Sequence, residues 1–140
     1  MNAWVEDDTI LSAILAAYIA TVTGTPITYD LHLYTNNYDP ALGDTVANYT
    51  EASFTGYAKG VILGAGWGAV TVAAHVASST HGTTFTFTNT GSSPVTIYGY
   101  YVTDTSDANL KWAESFDTAR ILNTGDELQI TPKLLHENVT

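Results

Sequence analysis

The stretch Thr83-Thr84-Phe85-Thr86-Phe87-Thr88-Asn89-Thr90-Gly91-Ser92-Ser93-Pro94-Val95-Thr96-Ile97-Tyr98-Gly99-Tyr100-Tyr101-Val102-Thr103 decides the fold of this chain. Phe85 and Phe87 alternate with Thr84, Thr86 and Thr88, the two-residue rhythm of a strand with one greasy and one hydroxylated face. Asn89 to Ser93 is turn chemistry, rich in residues that tolerate sharp backbone reversals. In the next strand, Val95, Ile97 and Tyr101 fall on one face, and Tyr98, Tyr100 and Val102 on the other. Bulk on both faces predicts a central strand covered twice.

The same rhythm extends in both directions. Downstream, Leu110, Trp112, Glu114 and Phe116 alternate with Lys111, Ala113 and Ser115; Ala119 to Leu122 and Leu128 to Leu134 then flank the turn Asn123–Asp126. Pro132 lacks a ladder donor, so the last strand is expected to lie at an edge or to stop there. Upstream, Tyr29, Leu31 and Leu33 alternate with Asp30, His32 and Tyr34, and strands are expected at Tyr57–Leu63 and along Val70, Val72, Ala74 and Val76. About eight short strands separated by turn signals predict an all-β antiparallel sandwich, a jelly roll or related Greek key, over residues 28–140.

Residues 1–27 have a different pattern. Asp7, Asp8 or Thr9 suits a helix N-terminus, and Gly24-Thr25-Pro26 ends the helix. Ile10, Leu11, Ile14, Leu15, Tyr18 and Val22 fall on one face, while the other is small and uncharged. An N-terminal helical arm with no obvious solvent face is expected to pack on its own domain or on neighbouring chains. Between Tyr38 and Gly56 lies a long connection, the kind of segment in which β domains often meet partners.

Composition narrows the function. In 140 residues only 13% are charged, with four Lys plus Arg against 14 Asp plus Glu, for a formal charge of −10. Four scattered cations cannot neutralise a run of phosphates, so nucleic-acid binding is not expected. The acidity suits solubility, or steering toward a basic surface. A low-charge exterior rich in Thr, Ser and Asn suits burial against other subunits, which points to a homo-oligomer. The absence of cysteine removes disulfides, thiolate zinc sites and thiol nucleophiles together. Glu6, Asp7 and Asp8 stand where a secretion signal carries Lys or Arg, and the apolar run from Ile10 to Val22 is short of the roughly 20 residues that span a bilayer, so no membrane association is expected.

No catalytic or metal-binding constellation emerges. The glycines from Gly60 to Gly68 lack the phosphate-loop lysine and the dinucleotide fingerprint, and read as a turn in which Trp67 either plugs the domain or serves as a ligand platform. His32, His75, His81 and His136 sit on separate elements without ligand spacing. Nothing in the sequence brings two of Glu51, Glu114, Asp117 and Asp126 together as an acid–base pair. Of the nine tyrosines, Tyr34, Tyr38, Tyr49, Tyr57, Tyr98, Tyr100 and Tyr101 are candidates for an aromatic surface; the simpler expectation is core packing with each hydroxyl reaching a partner at the rim. The chain is therefore expected to be no enzyme and to hold no cofactor or metal.

A resemblance adds to this reading. Leu31-His32-Leu33-Tyr34-Thr35-Asn36-Asn37, Tyr49-Thr50-Glu51-Ala52-Ser53-Phe54-Thr55-Gly56-Tyr57, Phe85-Thr86-Phe87-Thr88-Asn89-Thr90-Gly91, Ile97-Tyr98-Gly99-Tyr100-Tyr101-Val102, Trp112-Ala113-Glu114-Ser115-Phe116 and Gly125-Asp126-Glu127-Leu128-Gln129-Ile130-Thr131-Pro132, in that order, resemble blocks in small virion proteins of tailed bacteriophages. The resemblance covers about Leu31 to Leu134. It implies a virion station, here taken as capsid decoration, or cement: small acidic β proteins, often homotrimers, that clamp the major capsid protein on the shell exterior. Under that reading the contacts are Ile10, Leu11, Ile14, Leu15 and Tyr18 from the helix, and Tyr38, Tyr49 and Phe54 from the connection. The rival is a carbohydrate- or receptor-binding module of a head fibre or tail tip, in which exposed tyrosines and Trp67 would stack on sugars.

Overall fold

A computed structural model of the protein describes residues 28–74 and 76–137. The helical arm expected over residues 1–27, with Ile10, Leu11, Ile14, Leu15 and Tyr18, lies outside the described residues. What is described is β structure paired antiparallel throughout its mapped ladders. Nine strands are present among these residues: β1 (Thr28–Tyr34), β2 (Gly60–Leu63), β3 (Thr71–Ala73), β4 (Val76–Thr80), β5 (Phe85–Thr88), β6 (Val95–Asp104), β7 (Leu110–Leu122), β8 (Glu127–Ile130) and β9 (Lys133–Glu137).

Three departures from the expected eight have local causes. The alternation from Val70 to Val76 is not one strand, because Ala74 adopts a left-handed conformation (φ 50°) and the chain reverses there to pair β3 with β4. Leu110–Phe116 and Ala119–Leu122, expected as two strands, are one long β7. The register against β6 jumps from Ile97↔Arg120 to Gly99↔Ser115, so β7 bulges rather than breaks. The strand expected from Leu128 to Leu134 breaks at Thr131-Pro132, where Pro132 is buried; β8 pairs with β5, and β9 with β4.

The described residues fall into two compact units. One comprises Thr28–Ile62 and Phe85–Ile130; the other takes in Leu63–Thr84 and the residues from Thr131 onward. In the larger unit a four-stranded sheet has the order β2-β1-β6-β7, and β5 pairs with β8. The inner strands β1 and β6 are buried along most of their length. Leu31, Leu33, Tyr34, Ile62, Ile97 and Val102 are its fully buried anchors, and burial of such side chains stabilises a fold by about 1.5–3 kcal/mol each. Gly99 is required by this packing. A Cβ there would meet the Glu114 carbonyl oxygen and the ring of Tyr34, so only glycine lets Tyr34 lie across β6.

In the smaller unit the sheet has the order β3-β4-β9. Ala77 is its buried centre, and Trp67, Val70, Val72 and Leu134 pack against it. Trp67 also meets the buried His81 edge to face, with centroids 5.3 Å apart. His81 accepts from the Thr83 amide at Nδ1 (3.1 Å), and its Nε2 faces the Leu63 carbonyl at 3.0 Å. Its Nε2 leaves no room for a side chain at Gly66. The half-buried indole of Trp67 thus packs within this unit.

Candidate functional site

The chemically dense region of the larger unit is the connection from Thr35 to Lys59, together with the part of the sheet it folds back upon. The return is set by backbone pairing: the Thr35 amide donates to Thr50 O, and the Ala52 amide donates to Leu33 O, each at 2.9 Å. Asn36 completes the closure, its Nδ2 donating to Asn48 O (2.9 Å) and its Oδ1 accepting from the Thr50 amide (2.8 Å). A single 3-10 turn, Val46–Asn48, lies within the loop.

At the far end of the loop one carboxylate organises the turn. Asp44 accepts from the hydroxyls of Tyr38 and Tyr49, both at 2.7 Å, and from the Ala41 amide at 2.8 Å. The Ala41 amide, followed by the Tyr38 hydroxyl, holds its carboxyl below the usual aspartate range. Gly43 supplies the left-handed residue (φ 92°) that closes the turn. Leu42, between them, is fully exposed. Beneath the turn Tyr34, Tyr49 and Tyr101 form a buried cluster, with Tyr49 stacked on Tyr101 at 5.1 Å and Tyr38 edge-on to Tyr49 at 5.6 Å. A shallow cleft of about 360 Å³ runs beside Leu42, between the turn and Leu110–Ala113.

Nearer the sheet the return strand carries Glu51 over His32. The imidazole is 2% exposed and stacked on Tyr101. Its Nδ1 lies 2.8 Å from Glu51 Oε1, while Nε2 lies 3.0 Å from Thr103 Oγ1 and 3.3 Å from Asp107 Oδ1. Asp107 comes from the β6–β7 turn, where its own backbone is left-handed (φ 59°), a conformation aspartate tolerates better than most residues. Lys59 bridges Asp107 (2.6 Å) to the buried Asp30 (2.9 Å), and these two carboxylates hold its ammonium well above the ordinary lysine value. Tyr57 accepts from the Leu33 amide (3.2 Å) and donates to Glu51 Oε1 (2.9 Å). Burial, followed by Glu51 and Asp107, pushes the Tyr101 hydroxyl up to about 12.

This network ties two otherwise separate loops to β1. Each partner is shared: Lys59 lies between two carboxylates, and the histidine presents one ring nitrogen to Glu51 and the other to Asp107. Because the ring is covered, the arrangement fixes the position of Glu51 and Asp107 rather than offering the imidazole to a substrate. Among the described residues no group of three or more His, Cys, Asp or Glu side chains is placed to hold a metal ion.

A second cleft, about 420 Å³, lies between Thr50–Thr55 of the return strand and the Asn89–Val95 turn. Asn89 forms its rigid base: buried, it donates to Ser93 O and Leu122 O (both 2.9 Å) and accepts from the Gly91 amide (2.9 Å).

Of the site residues expected from sequence within the described region, the structure brings Tyr38 and Tyr49 together around Asp44, with Tyr49 buried and Tyr38 half-buried. Phe54 is half-buried elsewhere, against Tyr57 (5.4 Å) and on the wall of the 420 Å³ cleft. The His32–Glu51–Asp107–Lys59 network is not among the sequence expectations. Its one signal in the chain is the pair Asp30 and His32 on a strand otherwise built of Thr, Leu and Tyr. A comparison with family models and with curated proteins finds no match to this chain.

Proposed function

We propose that this chain is a structural protein of a tailed-phage virion that binds the capsid exterior and stabilises the shell, a decoration or cement protein acting as a homotrimer on the major capsid protein. Its scaffold in this reading is a sandwich of jelly-roll or related Greek-key type, and residues 1–27 serve as an arm toward neighbouring subunits. The observation that carries the proposal is the turn at Leu42. An apolar side chain stands fully in solvent on a loop that Asp44 fastens through three hydrogen bonds. A docking element ordered in advance loses little entropy on binding, so more of its contact energy appears as affinity. The order of the sequence blocks that resemble those of phage virion proteins supports the virion station, and the low charge density suits permanent contact.

The mechanism is linkage: a protein that binds assembled shell better than free subunits stabilises the shell by the difference in binding free energy. The experiment is to locate the chain in purified particles and to heat particles lacking it. Bursting at a lower temperature than the complete particle is expected, and Leu42→Ser should reduce retention on the shell. Particles that lack the chain, survive heating normally and fail to attach to cells would exclude the cement role.

A further inference from the structure

We propose that the cleft between Thr50–Thr55 and Asn89–Val95 is a binding site for a neutral glycan, with Glu51 as its fixed acceptor and Phe54 as its apolar wall. This inference is independent of the capsid role.

The orientation of Glu51 is the starting point. Both of its side-chain hydrogen bonds within the described residues, from His32 and from Tyr57, fall on Oε1. Oε2 makes none, and the residue lies on the cleft wall with its side chain 44% exposed. A carboxylate locked through one oxygen presents the other as a preorganised acceptor for hydroxyl donors.

The remaining wall chemistry matches the same ligand class. The hydroxyls of Ser53, Thr55, Ser92 and Ser93 line the cleft and make no hydrogen bond among the described residues, so each can donate to and accept from a polyol. Phe54 and Pro94 add apolar surface for the C–H face of a sugar ring. No Lys, Arg or His lines the cleft, and its one charge is negative, so phosphates, sulfates and uronates are disfavoured. A volume near 420 Å³ lies within the roughly 300–1,000 Å³ of small-ligand sites and suits a mono- or disaccharide unit of a longer chain. The base is held by Asn89, so little reorganisation accompanies binding.

The test is titration of the isotopically labelled full chain with malto-, cello-, chito-, manno- and galacto-oligosaccharides, and with an oligouronate, followed by amide NMR. Saturable shifts confined to Glu51–Thr55 and Asn89–Val95 are expected with at least one neutral oligosaccharide, and weaker ones with the uronate. Glu51→Gln should weaken binding about tenfold, the loss of one charge-assisted hydrogen bond. Ser92→Trp, which fills the cleft from the Asn89–Val95 wall and replaces no member of the histidine network, should abolish binding and leave the remaining amide spectrum in place. The inference is overturned if no oligosaccharide shifts these amides up to its solubility limit, or if the shifts persist unchanged in Ser92→Trp.

Discussion

The ring of His32 lies 4.7 Å from that of Tyr101 with the two planes 11° apart, so a polar side chain in the middle of β1 is roofed by an aromatic one from β6. The stack leaves both ring nitrogens pointing along the sheet surface, one at Glu51 and the other at Thr103 and Asp107.

Replacing His32 by Ala removes the stack and leaves two carboxylates without their common partner. A loss of about 2–4 kcal/mol is expected, read as a lower urea midpoint with little change in slope. His32→Phe keeps the ring and loses only the hydrogen bonds, so it should fall between the two. If His32→Ala costs less than about 0.5 kcal/mol, the network does not anchor the loops.

Gly99→Ala should destabilise the protein by about 1–3 kcal/mol, since the added methyl meets both a backbone carbonyl and a packed ring. Trimming Tyr34 in the same background cannot restore stability, because the Glu114 carbonyl remains in the way. Thermal denaturation of the single and double variants distinguishes this from a simple loss of ring packing, for which Tyr34→Ala would mask the effect of Gly99→Ala.

Acid should release the Leu42 turn. The Asp44 carboxyl is lowered from the ordinary value of 3.8 by the Ala41 amide and the Tyr38 hydroxyl. Its contribution is therefore present above that value and is lost as pH falls through the lower, folded one. Faster amide exchange across Ala41–Tyr49 below the ordinary value is the expected readout, and Asp44→Asn should remove its pH dependence. By contrast the Asp104 carboxyl, held by Ser106 and Asn109, should titrate near 2 by carboxyl-carbon NMR.

Alkali acts on the tyrosine cluster. Burial and a nearby Asp39 raise the Tyr34 hydroxyl to about 12, and Tyr101 reaches a similar value. Neutral phenol is thus favoured by the fold. That stability is complete below the ordinary value of 10.0 and disappears as pH rises through about 12. Tyrosinate absorbance should show a late step that coincides with loss of near-ultraviolet dichroism; titration of every tyrosine near 10 with the fold intact would contradict the buried cluster.

Strand chemistry was legible because a two-residue period is a local property: β1, β5 and β6 lie where the alternation predicts. Side-chain alternation is blind to backbone hand, however, and the run through Val72, Ala74 and Val76 hides the reversal at Ala74. Asp117-Thr118 looks like a gap between strands, yet β7 is an edge strand and accommodates the irregularity as a bulge. The rim partners anticipated for tyrosine hydroxyls are found at Tyr38 and Tyr49 with Asp44, Tyr57 with Glu51, and Tyr100 with Glu114. Glu51 and Asp107 are brought to His32 by tertiary folding alone, with no spacing rule to announce them.

The pairing of β4 with β9 carries a kinetic consequence. It joins Val76–Thr80 to Lys133–Glu137, so every residue between Thr80 and Lys133 must be made before β4 can pair with β9. Closing so wide a loop is slow compared with forming the β3–β4 hairpin or the β6–β7 ladder. We therefore expect this ladder to be the last to protect its amides in pulse-labelled refolding.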